Sequence, residues 1–169
     1  SVRGEFDDKV VDLYGHRYRL QRRGDEFWAE IDYLSPLPEQ QNSYTRVWRK
    51  IVLMTGSHHM QIYWMKTDTR RLEMLPIVYL FEAGRWVPRG SCFLGPDGDV
   101  YRAEIGRWNN ICIQCHTTGG RPIEHDDFDF ETRVAEFGIA CEACHGPAYE
   151  HITLNRPFTR RYQLALSGG

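Results

Sequence analysis

Two short runs of one pattern constrain this chain more than anything else in it. They are Cys112-Ile113-Gln114-Cys115-His116 and Cys141-Glu142-Ala143-Cys144-His145. C-x-x-C-H is the attachment signature of a c-type haem. Two sulfurs three positions apart on one turn of chain add to the two vinyl groups of the porphyrin, and the next histidine is held under the iron as its proximal ligand. A longer gap would carry the sulfurs off the vinyls or the imidazole off the metal. The pattern therefore predicts two haems c, joined through Cys112, Cys115, Cys141 and Cys144, with His116 and His145 as proximal ligands. Two C-x-x-C pairs are also the skeleton of a four-cysteine zinc site, but four thiolates leave no work for a histidine after each pair. With 7 His in 169 residues, both following positions would be histidine by composition alone on the order of once in six hundred.

Four of the five cysteines are used by the runs, which leaves Cys92. Beside Phe93 and Leu94 it reads as a small buried hydrophobe. The formal charge of −2 gives no overall field for nucleic acid or an anionic membrane, and no apolar run reaches 18 residues, so no membrane span is expected. Covalent haem attachment takes place outside the cytoplasm, which points to a periplasmic or otherwise extracytoplasmic bacterial protein. No export signal precedes Ser1, and the Ser167-Gly168-Gly169 tail is linker-like; both read as a domain taken from a longer protein.

The expected class is α+β. A β-rich segment at 1–104 supplies distal ligands and packing, and a mainly helical or irregular dihaem segment occupies 105–169, the two forming one cooperative unit. Strands are expected through 10–33, where Phe27, Ala29, Ile31 and Tyr33 share one face, through Val47, Ile51 and Leu53, and at Ile77–Phe81. Prolines make 35–42 a loop, and Gly95–Asp99 a tight turn. A helix is expected from Gly106 through the first run, another over Thr132–Phe137 behind the acidic stretch Glu124–Glu131, and a short one from Ala148. Trp108 is placed to pack on a porphyrin edge or in the core.

A six-coordinate haem needs a second ligand from elsewhere. Ser57-His58-His59-Met60 is the richest source, so His58 and His59 are the first distal candidates. His151 lies too close to His145 to reach round its own haem, but is placed for the neighbouring iron. His125, in the acidic stretch, is a weaker candidate. Enough histidines remain to fill both sixth positions, which favours a low-spin electron carrier with redox proteins as partners. The alternative is an enzyme or gas-binding sensor with one five-coordinate haem, where Tyr149, Arg121 or His125 would donate protons. A zinc-held module, the third reading, would be colourless.

Three stretches carry a family likeness: W-N-N-I-C-I-Q-C-H-T-T-G at 108–119, G-I-A-C-E-A-C-H-G-P-A-Y-E-H at 138–151 and T-G-S-H-H-M-Q at 55–61. In these the chain resembles multihaem c-type cytochromes of the cytochrome c554 type. The resemblance covers mainly 54–65 and 105–151, with weaker echoes at 75–89. It implies several closely stacked, mostly bis-histidine haems in an exported bacterial electron-transfer protein. It also implies proximal roles for His116 and His145 and distal roles for His58, His59 and His151. Such proteins show a further C-x-x-C-H before the G-S-H-H segment and this chain has none, so it is either a reduced two-haem version or one whose other haem domains lie outside it. The β-rich half is not covered by the resemblance.

Overall fold

A computed structural model describes residues 2–34, 44–93, 107–125 and 129–156. Eight antiparallel strands form one sheet: β1 Lys9–Leu13, β2 His16–Arg23, β3 Glu26–Leu34, β4 Tyr44–Thr55, β5 Met60–Lys66, β6 Leu72–Met74, β7 Ile77–Leu80 and β8 Arg85–Pro88. The order is β1-β2-β3-β4-β5-β7-β8, with β6 paired to β5. The first strand touches the last, so the sheet curls into a nearly closed barrel. Tyr14 and Gly15, both at positive φ, make the two-residue turn that brings β2 back along β1, a turn whose twist matches that of the flanking strands.

Period-two alternation fills the barrel. Val11, Tyr18, Leu20, Ala29, Ile31, Ile51, Tyr63, Met65, Ile77 and Trp86 face inward and are buried. Phe6, ahead of β1, closes the core through edge-on contacts with Phe27, Tyr63 and Trp86 at 5.1–5.8 Å between centroids. Burial and the loss of water around its hydroxyl push the Tyr63 phenol up to about 12.

A second core lies outside the wall. A β-bulge in β4 separates two registers, Ile51 opposite Met65 and Leu53 opposite Trp64. The extra residue re-aims the strand, so Ile51 stays in the barrel while Leu53, two residues on, joins the outer cluster of Trp64, Met74, Trp108 and Ile113. Strand β5 is thus buried on both faces: Tyr63 and Met65 look into the barrel, and Trp64 looks out onto the C-terminal segment.

That segment overturns the expected α+β arrangement. Strands take up 49% of the described residues and helical turns 17%, and the C-terminal part is not mainly helical. Its helices are short: a π-helical turn Trp108–Cys112, then α1 Ile113–His116, α2 Glu142–His145 and α3 Tyr149–Asn155. Between them lie β9 Thr117–Thr118, β10 Arg121–Glu124, β11 Phe130–Arg133 and β12 Glu136–Phe137. β10 pairs with β11 and β9 with β12, both antiparallel. The helix expected over Thr132–Phe137 is therefore two strands. Phe130 is buried and Arg133 exposed, a strand's alternation, and β-branched and aromatic residues outweigh the acidic residues that resembled a helix start. The loop expected at 35–42, the turn at Gly95–Asp99 and the helix start at Gly106 lie outside the described residues.

Candidate haem-attachment site

The first run is anchored from beneath. Trp108 is 2% exposed and Ile113 is fully buried, both in the outer cluster. Between them Asn109 is also buried: its Oδ1 accepts the Leu72 N–H at 2.8 Å and its Nδ2 donates to Thr132 Oγ1 at 2.6 Å. One side chain thereby ties β6 of the barrel, the π-turn and β11 together. With Trp108, Asn109 and Ile113 facing in, the helical period turns Gln114, Cys115 and His116 outward. Cys112 sits at the joint between the π-turn and α1, half-buried. Burial first, and the neighbouring Cys115 second, push its thiol up. The His116 imidazole lies beside the Trp108 indole, with ring centroids 6.3 Å apart and planes at 39°.

Among the described residues the second run has no such backing. Cys141, Cys144 and His145 are all exposed on a single turn, where the His145 N–H donates to the Cys141 carbonyl at 3.0 Å. Gly146, at φ 71°, ends the turn. Thr118 fixes the second run relative to the first. Its hydroxyl accepts the Ala140 N–H at 2.9 Å and donates to the Gly138 carbonyl at 3.0 Å. The Gly138 N–H in turn donates to the His116 carbonyl at 2.9 Å. Gly120 allows the chain to fold this tightly, since a methyl there would lie 2.3 Å from Thr117 Oγ1 and 2.7 Å from Ile113 Cγ1.

The residues present fit haem. Each run sets two thiols one helical turn apart with an imidazole immediately after them. Of the ten large exposed apolar side chains among the described residues, seven fall in the sequence between Ile111 and Leu154, among them Phe137, Ile139, Tyr149, Ile152 and Leu154. So many exposed apolar side chains along one segment suit a flat apolar macrocycle. The four thiols do not converge: among the described residues no three His, Cys, Asp or Glu side chains come together as a metal-binding group, so no zinc tetrad is assembled.

The remaining histidines are dispersed. His58 and His59 are exposed in the turn joining β4 to β5, on the rim of a concavity of about 780 Å³ shared with Leu80, Phe81, Glu82 and Ala83. Gly56 permits this turn: it sits at φ 90°, and a methyl on it would lie 2.2 Å from the Met60 carbonyl oxygen. Ser57 Oγ is 2.8 Å from His58 Nδ1, and the His59 carbonyl accepts the Phe81 N–H at 2.9 Å. Ile62, three residues beyond His59, packs on the same outer cluster as Cys112. His151 is exposed on α3 beside Tyr149 and Ile152. His125 is drawn to the β10–β11 hairpin, its Nε2 3.6 Å from Glu131 Oε2 and its N–H on the Asp129 carbonyl. Cys92 is half-buried, and burial pushes its thiol up.

Sequence reasoning missed Asn109, Thr118 and Trp64. Asn109 was visible only as part of an Asn-Asn pair, and Thr118 resembled a helix stop. Nothing in either neighbourhood marks its long-range partner.

Among the described residues no helix is long and apolar enough to cross a membrane. No curated protein and no solved structure matches the chain. Residues 99–146, which contain both C-x-x-C-H runs, match the family described as cytochrome c554 and c-prime. Over these residues, less than a third of the chain, it is similar to cytochrome c554-like c-type cytochromes, haem proteins of electron transfer.

Proposed function

We propose that the chain carries two haems c and serves as an electron carrier outside the cytoplasm. Cys112 and Cys115 hold one haem and Cys141 and Cys144 the other, with His116 and His145 as proximal ligands. When bound, haem supplies an iron that alternates between ferric and ferrous and so carries one electron. The observation that carries this reading is the pair of equivalent turns, each with two thiols and an imidazole, in the segment that holds most of the exposed large apolar side chains among the described residues. Thr118 joins the two turns by hydrogen bonds, a short and stiff connection suited to exchange between neighbouring sites.

His58 and His59 are the distal candidates for the first site, because their turn leaves the cluster that also holds Cys112. His151 serves a neighbouring iron from α3. His125, engaged with Glu131, is the weakest candidate. Redox proteins, or further haem domains of a longer chain, are the expected partners.

Mass spectrometry and optical spectra of protein made in a host competent for haem attachment test the reading. The mass of the chain plus two haems is expected, with sharp reduced α and β bands and no high-spin charge-transfer band. A high-spin band would favour a five-coordinate site and an enzyme or sensor. A colourless protein would sink both.

A further inference from the structure

The two attachment turns share a pattern but differ in their surroundings. His145 stands on an exposed turn whose neighbours are themselves exposed. His116 stands beside Trp108, which is 2% exposed and is gripped from behind by Trp64 in an edge-on contact, 5.2 Å between centroids and 62° between planes. Trp64 is 1% exposed, and its indole N–H donates to Thr55 Oγ1 at 3.0 Å. The neighbouring Asn109 is pinned by its two hydrogen bonds. Neither indole has room to turn, so the imidazole beside Trp108 meets a fixed wall on one side.

We propose that Trp108 is a positioning residue for His116: through Trp64 the barrel wall sets the plane of this one imidazole and keeps water from its inner side. The proposal rests on the dihaem reading, and it makes the two haems unlike. Imidazole orientation and local burial are two of the means by which a protein tunes a haem iron. Burial disfavours the more highly charged ferric state, so the first site is expected to have the higher potential and to be reduced first. His145, with no buried ring against it among the described residues, is left to orient itself within its haem.

The test uses the intact two-haem protein and its Trp108→Phe, Trp108→Leu and Trp64→Phe variants. Electron paramagnetic resonance of the oxidised form and a potentiometric titration read the two irons separately. A Cys141→Ala/Cys144→Ala variant, with one haem, assigns the signals. In Trp108→Leu the g-anisotropy of the first haem alone should change and its midpoint potential should fall, while the second haem keeps the wild-type values. Trp108→Phe, which retains a ring, should show the same change in smaller measure. Trp64→Phe should move the same signal without altering any group beside the haem, which keeps the test decisive if Trp108→Leu folds poorly. Unchanged signals in both Phe variants would overturn the proposal, as would equal shifts at both haems, the mark of general loosening. Wild-type protein without haem would instead bring down the dihaem reading, and the proposal with it.

Discussion

In β5, Gln61, Tyr63, Trp64 and Met65 are buried in succession; in α3, Tyr149, Ile152 and Leu154 are all exposed. The strand lies between two cores made of the chain's own side chains. The helix is seven residues long, shorter than an isolated helix needs to persist in water, and these apolar side chains are exposed among the described residues. The contrast extends to the two C-x-x-C-H turns: the first is built against the barrel, whereas the second is tied to the first through Thr118 and the Gly138 N–H. A region that closes its own core is stable without help. One that leaves Phe137 and Ile139 at 63% and 70% exposure depends on what it binds.

Removing the second pair of thiols should break the contrast most visibly. In Cys141→Ala/Cys144→Ala, one haem is lost and amide hydrogen exchange across 138–155 should accelerate to that of open chain. Strands β1–β8 should keep their protection; if they lose it, the barrel is not self-sufficient. Next in size are two core truncations. Leu20→Ala, inside the barrel, and Trp64→Ala, between the two regions, should cost about 2–5 and 3–5 kcal/mol respectively. Denaturant unfolding followed by both tryptophan fluorescence and the Soret band separates them. Leu20→Ala should leave the haem spectrum of the native state untouched, and Trp64→Ala should alter it.

Asn109→Leu should follow at about 1–3 kcal/mol, since it leaves the Leu72 N–H buried without its acceptor. Because Asn109 joins the two regions, the loss should appear as faster exchange in both β6 and β11. The smallest effect is expected at the exposed clamp between Arg70 and Asp129. The side-chain hydrogen bond from Arg70 first, and its backbone N–H second, hold the Asp129 carboxyl well below the usual carboxylate range. A depressed folded-state value stabilises at pH above the ordinary carboxylate value of about 4 and is lost as pH falls toward the depressed one. Asp129→Asn should therefore lower thermal stability slightly at pH 7, where the charged clamp is intact, and converge with the wild type as pH falls, which flattens the acid loss. An unchanged acid profile would show that the clamp does not join the regions energetically.

The barrel's strands were legible because period-two alternation is written locally, in Phe27, Ala29 and Ile31, and in the Gly-centred turns. Each C-x-x-C-H run lies on a helical turn, which was legible because the spacing of such a run is a local matter as well. Neither the bulge at Val52 nor the partners of Asn109 and Thr118 could be read, since each depends on a strand distant in sequence. The predicted helix over Thr132–Phe137 failed for the same reason. Its acidic flank is a local sign of a helix, but Thr132 is claimed by Asn109 and Val134 by the second core. The sequence is read as two segments, 1–104 and 105–169, in one cooperative unit, and Trp64 and Trp108 pack across the line between them.

The strand order has a consequence for the making of the protein. From β1 to β5 each strand pairs with the next in sequence, so these hairpins require only short loops to close, the kind of contact that forms early. The wall that receives Trp108 is then expected to stand before Cys112 and Cys115 meet their porphyrin. Maturation would add haem to a chain whose first site is already shaped and whose second is still open. A pulse-labelling experiment during assembly should find protection in β1–β5 ahead of covalent attachment, and attachment at Cys141 and Cys144 as the event that brings α3 to order.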